Sequence, residues 1–200
     1  VVTPGTIVEP NLLEEKRNNY LAALVRDGER AGIAYADITT GIFAATEVNA
    51  NDVRQELDRL NPAELLVAQK ISNYPSPITE FRIPDFDSAR QTLLDHFHVA
   101  SLDGFGLNAL PLALRAAGAL VQYLQDNQKT ALKQLVALKT YSTQAFMTLD
   151  PHTRRNLELV APIRGGTVKG SLLGVLDETR TAMGGRLLRE WLTQPLLDLN

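Results

Sequence analysis

The sequence predicts an α/β domain, a mixed sheet flanked by helices, followed by an all-α segment. Three observations carry this. Short apolar runs separated by tight turns fill residues 19–48. Helical stripes and one further apolar run alternate behind them as far as Asp126. From residue 142 onward apolar positions recur only at helical spacing, between capping residues and prolines.

Residues 1–10 contain Pro4, Gly5 and Pro10 and read as an extended linker. Residues 19–26, NYLAALVR, are apolar on both faces, as a buried central strand should be. Arg26-Asp27-Gly28-Glu29 is a turn, and 31–38, AGIAYADI, form a second strand. Thr39-Thr40-Gly41 turns the chain into a third, 42–48, giving an antiparallel meander. Asn51 or Asp52 caps a helix whose buried stripe is Val53, Leu57 and Leu60, and Asn61-Pro62 stops it. Residues 64–68, ELLVA, are a short strand; a helical connection of this length implies parallel pairing and a right-handed crossover.

After the loop at Tyr74-Pro75 and Pro77, a helix starts near Asp87 with Ala89, Leu93, Leu94 and Phe97 inward. Leu102 to Gly106 is a loop. A further helix runs from Pro111 to about Asp126, with Ala113, Ala117, Leu120, Val121 and Leu124 inward and proline in its first turn. The order β-β-β-α-β-α-α, with a crossover onto a mixed sheet, is the ribonuclease H-like arrangement. Residues 128–141 read as a partly helical linker. Asp150 caps a helix that begins at Pro151 and runs to about Val160. Ser171 caps a short one through Leu172, Leu173, Val175 and Leu176. Thr181 caps another, with Leu187, Leu188, Trp191 and Leu192 as its apolar side and Pro195 beyond. So few helices enclose little core, and their apolar stripes call for helices from elsewhere in a longer chain.

Composition removes several function classes. Apolar residues are 44% and charged residues 22%, ordinary for a globular chain. The net charge of −3 sets up no global field that attracts nucleic acid. With no cysteine there is no disulfide, thiolate zinc site or cysteine nucleophile, which fits a cytoplasmic setting. No run approaches the ~20 apolar residues of a membrane span, and the first residues, VVTPGTIVEP, show no signal-peptide pattern. The opening in an extended segment and the close at PLLDLN read as those of a fragment.

Few residue clusters suggest chemistry. Asp37 closes the second strand, Glu64 starts the fourth, and Asp95 and Asp103 follow. Convergence of three of them would suit two divalent metals ~3.5–4 Å apart and a metal-dependent, ribonuclease H-like nuclease. The plainer reading is that Asp37 accepts hydrogen bonds from its own turn. His96 and His98 lie two apart on a helix, face different ways and cannot share a metal; His152 is isolated. The run from Gly165 to Ser171 lacks the order of a phosphate-binding loop and follows a helix and a proline, not a strand. Gly184-Gly185 marks a close helix contact or a first turn. Arg154 and Arg155 could clamp phosphate. However, residues 141–200 balance seven basic side chains against six acidic ones, so direct DNA binding has a weak footprint. Structural roles fit better, with Arg155 and Glu158 pairing on the helix surface.

Taken in order, several stretches resemble the MutS family of DNA mismatch-repair proteins: Val2 to Thr6, Asp37 to Gly41, Asn61 to Leu66, Leu102 to Gly106, Ala116 to Leu120, Leu149 to Leu159, Ser171 to Leu173 and Met183 to Leu192. The resemblance spans the chain. It implies a linker from a mismatch-reading domain over 1–10, a connector domain over 11–140, and the start of the helical core (lever) domain over 141–200. It also implies what this chain lacks: the mismatch-reading domain with its Phe-x-Glu motif, the DNA clamp, and the ATPase with its Walker A loop. The family's connector links mismatch reading to the ATPase and docks MutL, without nuclease activity. The resemblance therefore implies no enzyme, catalytic residue, metal or cofactor in this chain. ATP and magnesium belong to the full-length parent, as do contacts with mismatched DNA and a second MutS subunit. The outer face of the helix after Asp87, with Arg90, Gln91, Asp95 and His98, is the expected partner surface, because it opposes the apolar face.

Overall fold

The computed structural model describes residues 3–7, 16–69, 74–128, 131–147, 149–165 and 167–197. Parts of three sequence expectations lie outside the described residues: residues 1–2 and 8–10 of the linker, 129–130 of the second linker, and Gly166 of the glycine loop. The chain forms two compact units. One holds the residues from Asn19 to Ser142 together with the described Thr3–Ile7; the other holds Thr143 onward together with Lys16–Asn18.

The first unit is built on a six-stranded sheet in the order β5-β4-β1-β2-β3-β6. Strands β1 (Leu21–Asp27), β2 (Arg30–Asp37) and β3 (Ile42–Asn49) form the expected meander. Helix α1 (Val53–Leu60) then returns the chain to β4 (Glu64–Val67), which runs parallel to β1 with Leu21 opposite Glu64. α1 buries Val53, Leu57 and Leu60 and ends on Asn61 in the left-handed conformation. Its expected cap is corrected: Asp52 holds the N-cap position but has helical φ and ψ, and its side chain makes no cap bond.

Two strands escaped the sequence. β5 (Ile78–Glu80) follows the proline-rich loop and pairs parallel with β4. β6 (Lys139–Thr140), within the segment read as a partly helical linker, pairs parallel with β3. Both are edge strands too short to show an alternating pattern.

Helices α2 (Phe86–Phe97) and α3 (Pro111–Asn127) cover one face of the sheet and α1 covers the other. α3 is held almost against the backbone of β2. A Cβ at Gly32 would overlap the main chain of Leu112 and Ala113, so only glycine admits the helix there. α2 and α3 meet at Ala89 and Gly118, where a Cβ on Gly118 would stand 2.6 Å from that of Ala89. The central strands are buried on both faces, as their continuous apolar runs require.

The second unit carries α4 (Pro151–Asn156), α5 (Leu172–Leu176) and α6 (Ala182–Thr193). Its three caps match the sequence. Asp150 accepts from the His152 and Thr153 amides, Ser171 from Gly174 and Thr181 from Gly184. α4 is shorter than expected and stops at Asn156, because Glu158 takes a left-handed φ of 47° that a helix cannot continue. Little apolar surface is enclosed: Leu149 and Leu173 are buried, whereas Leu187 and Trp191 on α6 are exposed, Trp191 to 65%. Gly185 packs on the Lys16 side chain, the close helix contact that the glycine pair suggested. No helix among the described residues is long and apolar enough to cross a membrane.

Candidate functional site

The candidate partner face sits on α2, and its geometry follows from the local sequence. Asp85 caps the helix, its Oδ1 accepting from the Ser88 amide at 2.9 Å; that bond holds its carboxyl below the usual range. Ala89, Leu93 and Leu94 then fall on the inner side and are buried. Cross-links to neighbouring elements fix the helix rotation. Arg115 Nε donates to the Pro84 carbonyl at 2.9 Å, and Gln122 Nε2 donates to Thr92 Oγ1 at 3.2 Å.

Arg90, Gln91, Asp95 and His98 are all exposed. Gln91 Nε2 donates to Asp95 Oδ1 at 2.7 Å, one helical turn apart. His98 ends the helix in the left-handed conformation, its backbone N–H on the Leu94 carbonyl. His96 points elsewhere, its Nε2 2.8 Å from the Leu135 carbonyl. The structure adds neighbours that sequence reasoning did not assign to this face. Asp103 is hydrogen-bonded by the Asn108 amide and also feels the charge of Arg90; both lower its carboxyl pKa, the Asn108 bond most. No local pattern could reveal this, since Asp103 and Arg90 meet only when the loop after α2 folds back.

The carboxylates of the nuclease alternative do not converge. Asp37 and Glu64 are both fully buried, on strands β2 and β4 that flank β1, and thus about two strand spacings, ~10 Å, apart. Asp95 is on the exposed side of α2. Both buried groups are already engaged by hydrogen-bond donors. Asp37 Oδ1 accepts from the Thr39 amide at 2.9 Å and from its hydroxyl at 2.6 Å; Oδ2 accepts from the Asn19 amide at 3.1 Å. Glu64 Oε2 accepts from Thr3 Oγ1 at 2.5 Å and the Gly5 amide at 3.0 Å. Its Oε1 accepts from Thr79 Oγ1 at 2.7 Å and Tyr123 Oη at 2.8 Å. The turn role read for Asp37 is the one it plays. Among the described residues no three His, Asp or Glu side chains stand together as a metal set.

The arginines of the helical unit are placed individually. Arg154 Nε donates to the Leu149 carbonyl at 3.3 Å and Arg189 Nε to the Lys16 carbonyl at 3.3 Å. The expected Arg155–Glu158 pair is corrected. With α4 ended at Asn156, Glu158 Oε1 turns to accept the Ile163 amide at 2.6 Å. The run from Gly165 to Ser171 precedes α5, five residues long, and Ser171 Oγ caps that helix; the residues present do not fit a nucleotide phosphate.

Comparison with known proteins places these features. Residues 19–136 match the family described as MutS domain II, and residues 152–200 match MutS domain III. The chain is 47% identical over 204 residues to the DNA mismatch repair protein MutS of Dehalococcoides mccartyi (strain ATCC BAA-2266 / KCTC 15142 / 195), covering 98% of this chain and 24% of the relative. It is 46% identical over 221 residues to that of Thermosynechococcus vestitus, covering 100% and 25%. It is 42% identical over 250 residues to that of Roseiflexus castenholzii, covering 100% and 23%. The chain thus spans about a quarter of the length of these relatives. Two consecutive family domains matched in order, at this identity over the whole chain, establish that it belongs to the MutS family of DNA mismatch-repair proteins, matching its domains II and III.

Proposed function

We propose that this chain is the mechanical and docking part of a cytoplasmic mismatch-repair protein. The α/β unit acts as the connector, with a ribonuclease H-like fold, and the helical unit as the beginning of the core, or lever. The sheet order β3-β2-β1-β4-β5, with β4 parallel to β1, supports that fold reading. The fragment links mismatch recognition to ATP hydrolysis and catalyses nothing itself. ATP with magnesium, mismatched DNA and the second subunit are engaged by other parts of the parent. The α2 face docks MutL.

One observation carries the docking reading. α2 buries Ala89, Leu93 and Leu94 against its own sheet unit, yet presents Arg90, Gln91, Asp95 and His98 to solvent as a mixed-charge surface. Polar, adaptable groups of this kind suit a transient partner. The test uses the full-length parent carrying Gln91→Ala with Asp95→Arg. With heteroduplex DNA and ATP, the variant should retain DNA binding and capture several-fold less MutL. Capture equal to that of the unsubstituted protein rejects this face.

A further inference from the structure

Buried carboxylates are costly, because a charge leaves water and must be compensated inside the protein. Among the described residues of the α/β unit, the buried acidic residues are Asp37, Glu56 and Glu64. Glu47, whose carboxylate is also nearly covered, caps α3. The other three share a different placement. Each holds a point on a segment that flanks the sheet: the first turn, the return at Asn19, or the departure after Ser142.

Glu64 grips the first such point, the turn at Thr3–Thr6, through Thr3 Oγ1 at 2.5 Å and the Gly5 amide at 3.0 Å. A Cβ at Gly5 would press to 2.8 Å from Leu21 Cδ1 and 2.9 Å from Glu64 Cβ, so the turn is seated closely. Asp37 grips the second. The chain returns from the other unit at Asn19, and the Asn19 amide meets Asp37 Oδ2 at 3.1 Å. Glu56 grips the third. Two residues before the chain departs at Thr143, the Tyr141 hydroxyl donates to Glu56 Oε1 at 2.6 Å.

At the first two places the two carboxylate oxygens divide the work. Glu64 Oε1 is bonded to the body of the unit, by Thr79 and Tyr123, while Oε2 holds the incoming turn. Asp37 Oδ1 is bonded within its own turn by Thr39, while Oδ2 holds Asn19. Glu56 is fixed by the Arg59 guanidinium, with Nε on Oε2 at 2.8 Å and Nη2 on Oε1, and holds Tyr141 through that same Oε1. The first turn and the crossing at Asn19 are also joined directly, Asn19 Nδ2 donating to the Pro4 carbonyl at 3.0 Å. A carboxylate suits this work, since each oxygen accepts more than one charge-assisted bond.

We infer that Glu64, Asp37 and Glu56 are clasps that fasten the flanking chain to the α/β unit, Glu64 at the first turn and the other two at the crossings beside Asn19 and Ser142. Movement of the flanking chain is thereby confined to residues beyond them. The inference is independent of the docking reading and goes beyond it.

Hydrogen exchange on the 200-residue chain tests it, using Thr3→Val, Asp37→Asn and Tyr141→Phe. Thr3→Val and Tyr141→Phe leave their carboxylates in place and change one hydroxyl each, so the fold is kept even where Asp37→Asn loosens it. Each variant should speed exchange at its own clasp, near Gly5, Asn19 or Tyr141, about tenfold or more beyond any change at Ala22 and Leu66 in the central strands, which follow the global stability. Acceleration spread evenly over crossings and central strands would make the carboxylates general core struts. Unaltered exchange near Gly5 in Thr3→Val and near Tyr141 in Tyr141→Phe would mean that nothing is clasped. Either result overturns the inference.

Discussion

Glu47 on β3 caps a helix that begins about 65 residues later: its Oε1 accepts the Leu112 amide at 2.6 Å and the Ala113 amide at 3.3 Å. The second oxygen pairs with Arg30 at 3.0 Å. Leu110, at the N-cap of α3, makes no side-chain cap bond, so the sheet provides what the local sequence lacks. An acidic group at a helix N-terminus also meets the positive end of its dipole. Glu47→Ala strands these amides under the sheet edge and should cost about 1–3 kcal/mol in urea unfolding. Glu47→Gln keeps an acceptor and should cost less; equal losses would refute the capping role.

The glycine contacts predict an asymmetric rescue. Gly32→Ala and Gly118→Ala both overpack the α3 interface and should each destabilise by about 1–3 kcal/mol or more. The obstacle to Gly118→Ala includes the Ala89 Cβ, so Ala89→Gly added to it should recover part of the loss. The obstacle to Gly32→Ala is main chain of Leu112 and Ala113, which no side-chain change removes. A double-mutant cycle by chemical denaturation checks both halves.

Tyr141 makes stability fall in alkali. Its phenol is held well above the usual range, first by burial and then by the negative charge of Glu56. Arg59, whose ring-stacked guanidinium lies 5.6 Å from the Tyr141 centroid, opposes this but does not overcome it. A raised folded pKa stabilises fully below the ordinary tyrosine value near 10, and the contribution is lost as pH climbs from there through the folded value. Tyr141→Phe should cost about 1.5–3 kcal/mol at neutral pH, the worth of a hydrogen bond to a charged group, and should flatten the alkaline decline. An unfolding series from pH 8 to about 11 reads both.

Asp177 gives the converse case in the helical unit. The Thr179 hydroxyl at 2.5 Å, then Lys16 Nζ at 2.9 Å, lower its carboxyl to about 2. A lowered folded pKa stabilises above the ordinary carboxylate range, and this is lost as pH falls through about 2. Carboxyl NMR titration should find Thr179→Val raising the midpoint more than Lys16→Met. The reverse order would show the ion pair, and not the hydroxyl, to be the larger cause.

Much of this was legible in the sequence where the cause was local. The meander, α1, α2 and α3 follow from apolar runs, turn residues and helical stripes. Asp150, Ser171 and Thr181 cap because a short polar side chain sits just before an apolar stripe. The exposed side of α2 was legible as the complement of Ala89, Leu93 and Leu94. β5 and β6 were not, because three and two residues carry no periodicity and become strands only on finding β4 and β3. α4 was read too long because the left-handed turn at Glu158 depends on its side chain meeting the Ile163 amide.

By itself, then, the sequence determined the element order, the helix caps, the absence of cysteine chemistry and the family, since each depends on residue type and near neighbours. Tertiary structure alone decided what the acidic residues are for. Glu47, Glu56 and Glu64 find donors 65, 85 and 59 residues away, at Leu112, Tyr141 and Gly5 among others. A carboxylate's pattern in sequence is the same whether it will hold a metal, face water or fasten a strand. Burial and the donors that reach it make the difference, and both arise only when distant segments pack.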